Sequence, residues 1–199
     1  MVEPEIQHED AREARRKQAE IQLKKLNSNR KAWAKLSPKK KLKYLEGILE
    51  RLTKLDHDGW SKQSAMAQGY NPSSSIGSEI AAMDALVNVI ITSGLIRSLI
   101  RTYKSLVKTG KPPQINKAEP TEKGSIAKVF PFDMKDKMSP NGIAGITVEI
   151  HSNAPVKNLQ YRPPEKPELC LILGAGNQSF LAFGDVINKL FLHGQVCIL

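Results

Sequence analysis

Residues 169–199 read LCLILGAGNQSFLAFGDVINKLFLHGQVCIL. An unbroken apolar run, Leu169 to Leu173, has the composition of a strand buried on both faces of a parallel sheet. It enters Gly174-Ala175-Gly176-Asn177-Gln178-Ser179, where glycine lets other groups approach the backbone. Leu181, Val186, Ile187, Leu190 and Phe191 then recur at helical spacing, and His193-Gly194 closes the helix. Residues 195–199, QVCIL, begin a second strand. The segment therefore predicts the first part of a βαβ unit, with a glycine turn at the N-terminus of its helix.

Working back from that unit, the spacing predicts a mostly helical first half. Residues 9–26 are rich in helix formers but poor in apolar positions, so they predict an exposed helix after a disordered start at 1–8. Asn27-Ser28-Asn29 reads as a helix boundary, followed by a short helix carrying Trp33 and Leu36. Ser37-Pro38 is a helix start, with serine able to cap and proline in the first turn. Leu42, Leu45, Ile48, Leu49, Leu52 and Leu55 form one buried stripe after it. Asp56-His57-Asp58 reads as a polar link or helix end, and residues 67–78 as a loop. Residues 78–108 predict a long helix, apolar on nearly every side around ALVNVII, with Gly94 at its middle. Gly110 and Pro112-Pro113 end it. Residues 126–130 and 143–151 are the strand candidates of the middle region.

The totals narrow the class. The chain has 199 residues, enough for one domain with a core and an appendage. Hydrophobic residues are 40 % and mean hydropathy is −0.36, so part of the length is polar extension. The net charge of +10 comes mostly from lysines scattered on helical faces, without a nucleic-acid recognition module, so no nucleic-acid partner is expected. No run reads as the ~20 apolar residues of a membrane span, and the N-terminus lacks the apolar core of a secretory signal. Cys170 and Cys197 lie inside apolar strand runs and read as buried, reduced thiols. The expectation is a soluble cytoplasmic protein. Two cysteines and four scattered histidines give no metal-ligand spacing. His193, at the end of a helix, reads as a group compensating the helix dipole.

Three readings of the turn stay open on these residues. It matches the first two glycines of the dinucleotide fingerprint G-x-G-x-x-G, with Ser179 at the third. A different dinucleotide-binding domain would place an acidic residue beyond the second strand. A plain tight βα turn uses the same glycines without a ligand, and Asn177 is also a favoured helix cap.

Over residues 26–199 the chain resembles the N-terminal part of the aldehyde dehydrogenase superfamily. The resemblance rests on the short helix with Trp33, on LSPKKKLKYLEGILERL (residues 36–52), on the long helix, and on the glycine-turn strand with its helix and second strand. The strand that usually ends P-W-N in that family ends here in Ala175-Gly176-Asn177, like a divergent G-A-G-N branch. The resemblance implies an α/β fold in which residues 1–25 are a basic helical extension and 26–199 an incomplete NAD(P)-binding domain. It implies helices followed by strands and an incomplete parallel βαβ sheet. It implies oxidation of an aldehyde, or reduction of an acyl thioester, with NAD or NADP. Asn177 would donate its amide to the substrate oxyanion, and the backbone of Gly174, Ala175 and Gly176 would border the nicotinamide. A homo-oligomer is implied for a complete protein. The cofactor-binding lysine, the base and the cysteine nucleophile would lie beyond residue 199, so the chain is expected to be a fragment that is inactive alone. The alternative is a non-catalytic interaction protein that binds a partner through a half-domain and basic helices.

Overall fold

The computed structural model describes residues 3–114, 118–154, 161–175 and 178–199. It is a mixed α/β chain in which helix predominates. The chain divides into two compact units, one of Met1–Tyr103 with Arg162–Leu199, the other of Lys104–Tyr161.

The first unit opens with α1, Glu3–Ala34. The expected break at Asn27-Ser28-Asn29 is absent, because these side chains serve the helix they were expected to stop. Ser28 Oγ and Asn29 Nδ2 both donate back to the Lys25 carbonyl, at 2.9 and 2.8 Å, and the helix continues into Trp33. The expected disorder at residues 1–8 also fails from Glu3 onward, where the backbone is helical. Helix α2, Pro38–Leu52, starts where the Ser-Pro pair predicts, with Ser37 Oγ accepting from the Lys40 N–H. It buries Lys41, Leu45 and Leu52.

Asp56-His57-Asp58 is a helix start and not a link. The Asp56 carboxylate accepts from the Gly59 N–H at 2.9 Å and caps α3, His57–Ala67. Helix α4, Ser75–Thr109, is tied to α3 through Asp84, which accepts from Ser64 Oγ at 2.6 Å and from Gln68 Nε2 at 2.7 Å. One side of α4 buries Ala81, Asn88, Thr92, Ile96, Leu99 and Tyr103. Contrary to the burial expected around ALVNVII, Leu86, Ile90 and Ile91 are exposed, as are Ile76 and Met83 before them. By length and composition α4 could cross a bilayer.

The unit ends with β4 (Leu169–Leu171), α7 (Phe180–Phe191) and β5 (Val196–Ile198). The two strands are parallel, pairing Leu169 with Val196, Cys170 with Cys197 and Leu171 with Ile198. Strand β4 is shorter than the apolar run suggested. It is not buried on both faces: Leu171 and Leu173 are 63 % and 79 % exposed, and Ile172 alone of this run is buried. A strand is buried on both faces only where helices cover both faces of its sheet, and Leu171 and Leu173 lie under no such cover.

The second unit holds a three-stranded antiparallel sheet in the order β1-β2-β3, from β1 (Ala118–Thr121), β2 (Gly124–Phe130) and β3 (Val148–Ser152). Two short helices, α5 (Met134–Lys137) and α6 (Pro140–Ile143), stand between β2 and β3. Residues 143–147, expected to be strand, are instead the end of α6 and a turn, with Gly145 at φ 74°. Strand β1 went unread because Pro120 interrupts its pattern. Proline is tolerated there because β1 is an edge strand.

Candidate nucleotide-binding turn

The turn is positioned by a short parallel ladder. Val196 N–H donates to the Glu168 carbonyl at 3.2 Å, and Ile172 N–H donates to the Ile198 carbonyl at 2.9 Å. Outside the ladder, Gln195 Nε2 donates to Glu168 Oε2 at 2.8 Å. Beyond Ile172 the chain emerges into solvent: Leu173, Gly174 and Ala175 are all exposed. Ala175 and Gln178 form an isolated antiparallel bridge. Of the predicted site residues, Gly174 and Ala175 lie in this exposed segment, while Gly176 and Asn177 lie outside the described residues. Gly174 packs against α7, where a Cβ on it would stand 3.4 Å from the Ala182 Cβ.

Helix α7 begins without a side-chain cap. Ser179, the serine in the third fingerprint position, has helical backbone angles and makes no capping bond. Its hydroxyl instead accepts from Asn88 Nδ2 at 3.2 Å. Asn88 is 2 % exposed, and its carbonyl in turn accepts from Thr92 Oγ1. With Ser179 held sideways and no acidic residue in the first turn, the leading N–H groups of α7 are not served by its cap residue. Such a helix start favours an anionic group.

The other end of α7 is closed by aromatic side chains. Trp33 Nε1 donates to the Leu190 carbonyl at 3.0 Å, and Tyr103 Oη to the Phe191 carbonyl at 2.7 Å. The Phe191 ring meets both edge-on, with centroids 5.5 Å from Trp33 and 6.1 Å from Tyr103. Lys41 lies over the Trp33 ring, its Nζ 5.4 Å from the centroid. Burial holds its ammonium below the ordinary lysine range. Gly194, at φ 64°, turns the chain from α7 toward β5. His193 is exposed just past the helix.

Asn88 is the residue that sequence reasoning passed over. It sat in ALVNVII as an interruption of an apolar period, and a polar side chain in a buried helix face was the available signal. The cysteines also differ from expectation. Both are in strands, but each is half-exposed and not buried. A separate groove, lined by Leu23, Lys24, Asn27, Arg30, Glu168 and Leu169, runs between α1 and the start of β4. Among the described residues no group of three His, Cys, Asp or Glu side chains could hold a metal ion.

No protein-family model, curated protein or solved structure matches the chain.

Proposed function

We propose that this chain is the N-terminal part of an aldehyde dehydrogenase-like domain that binds NAD or NADP. The observation that carries the reading is the parallel β4–α7–β5 unit, with an exposed glycine turn leading to a helix start that its own serine does not cap. A dinucleotide pyrophosphate is an anion of the kind such a helix start attracts, and exposed Gly174 and Ala175 leave the backbone open to a flat ring. In a complete enzyme the cofactor would accept hydride from an aldehyde, or deliver it to an acyl thioester. Gly174, Ala175 and Gly176 would border its nicotinamide end. Asn177 would hold the oxygen on which charge develops, a role in which loss of one donor costs ~2.7–4 kcal/mol of transition-state stabilisation. The reading carries with it a homo-oligomer for the complete protein, a cytoplasmic setting suited to two free thiols, and no nucleic-acid partner.

Backbone-amide NMR of the 15N-labelled chain, titrated with NAD and then NADP, tests this. The expected outcome is saturable shifts confined to residues 173–181, with Asn177→Ala leaving the binding itself in place. Shifts elsewhere, or none at millimolar cofactor, would remove the reading.

A second reading has its own observation. The exposed apolar face of α4 suits a non-catalytic protein that docks on a partner, and it predicts no cofactor response in the same titration.

A further inference from the structure

The pairing of β4 with β5 sets Cys170 directly opposite Cys197. In-register residues of neighbouring strands point to the same face of a sheet, on strands about 4.8 Å apart. That separation falls within the roughly 4.4–6.8 Å that a disulfide spans between Cα atoms. Both cysteines are free, and both are half-exposed, so a small reagent reaches them. The Cys170 thiol lies 3.6 Å from the Leu171 carbonyl of its own strand. Burial pushes the Cys197 thiol up, and the neighbouring Cys170 adds to the rise while Lys189 opposes it.

We propose that Cys170 and Cys197 form a dithiol that oxidises reversibly to an intramolecular disulfide, with a small disulfide such as oxidised glutathione as the oxidant. One cysteine thiolate attacks a sulfur of oxidised glutathione, forming a mixed disulfide and releasing one glutathione thiolate. The second cysteine thiolate then attacks the protein sulfur of that mixed disulfide and releases the second glutathione. Two protein thiols lose two protons and two electrons, and one glutathione disulfide becomes two glutathione thiols.

Accessibility makes this a switch and not a staple. Both cysteines are half-exposed, and an accessible disulfide is readily reduced. Its formation pulls β4 onto β5 two residues before Ile172, whose N–H to the Ile198 carbonyl is the last rung before the exposed Gly174 and Ala175. The proposal concerns the thiols alone and does not depend on cofactor binding.

Native protein is equilibrated with glutathione buffers of increasing oxidised fraction, quenched with acid, and read by intact mass and peptide mapping. The expected result is a loss of two hydrogens and a linked peptide pair joining Cys170 to Cys197, reversed by reduced glutathione. Cys170→Ser and Cys197→Ser should each collect one glutathione instead. Glutathione adducts without an internal link in the wild type, a link between two chains, or no reaction in fully oxidised buffer would each overturn the proposal. Should a serine variant unfold, phenylarsine oxide decides on the wild type, because it requires two adjacent thiols. One equivalent bound per native chain, shielding both cysteines from N-ethylmaleimide, is expected, and the absence of capture overturns it.

Discussion

Lys41 is fully shielded from solvent, with its ammonium over the face of Trp33. A π face returns only part of the hydration an ammonium loses, so the charged form is disfavoured and the pKa falls. The pH consequence follows from proton counting. Between the lowered folded value and the ordinary unfolded value the unfolded chain binds more protons, so stability rises with pH across that window. Wild type should therefore gain urea resistance relative to Lys41→Met as pH is raised from neutral toward the unfolded lysine value of about 10.4. An unchanged difference between the two proteins across that range would refute this account of Lys41. The sequence showed Lys41 only as one of four lysines at the start of an apolar stripe, each expected to face water. Nothing in its local pattern told it from Lys39, Lys40 or Lys43, because Trp33, the group that covers it, comes from another helix.

At the scale of elements, α7 has an asymmetric pair of ends. Its first turn lacks a side-chain cap, whereas the Leu190 and Phe191 carbonyls of its last turn accept from Trp33 and Tyr103. Tyr103 is 1 % exposed, so its hydroxyl bond lies out of reach of water. Tyr103→Phe keeps the ring contact with Phe191 but strands that carbonyl, at a cost of about 1–3 kcal/mol. Chemical denaturation should show a lower midpoint with unchanged slope. A midpoint equal to wild type would mean that the bond contributes nothing. Much of the element list was legible from periodicity: the Ser-Pro start of α2, the long α4, β2 and the order strand, turn, helix, strand at the end. Boundaries failed where a side chain had two uses. Ser28 and Asn29 bond backward within α1, and Asp56 starts α3 where a link was read. Of the site, a turn between β4 and α7 was legible, but the Asn88–Ser179 bond beside the uncapped start of α7 was not. It joins residues 91 positions apart, and no local pattern encodes such a pairing.

Across the whole molecule, charge and burial separate along the chain. Residues 12–25 of α1 are exposed throughout, held by helix propensity and by ion pairs such as Glu13–Lys17 and Arg16–Glu20. Exposed pairs of this kind add little. Deleting residues 1–20 should therefore move the thermal midpoint by no more than about 2 °C, corresponding to ~0.5 kcal/mol. A larger fall in scanning calorimetry would mean that the leading turns of α1 carry tertiary contacts. Packing on α1 lies later, where Leu23 to Arg30 border the start of β4, Trp33 reaches α7 and Ala34 is buried. The scattered lysines were legible as solvated surface, but which apolar residues of α4 would be covered was not. A helical period identifies a stripe without saying whether anything lies against it.

The first compact unit is assembled from both ends of the sequence, Met1–Tyr103 and Arg162–Leu199, with the second unit inserted between them. On the ribosome this arrangement imposes an order of events. Helices α1 to α3 are synthesised long before β4, α7 and β5, which complete their core. At ordinary elongation rates of about 5–20 residues per second, the intervening stretch alone takes several seconds to make. Throughout that delay the aromatic face of Trp33 and the inner side of α4 lack the helix they pack on, whereas the continuous middle unit has its whole sequence as soon as Tyr161 is added. The nascent chain is thus most exposed to aggregation or chaperone capture after its helices have emerged and before α7 does.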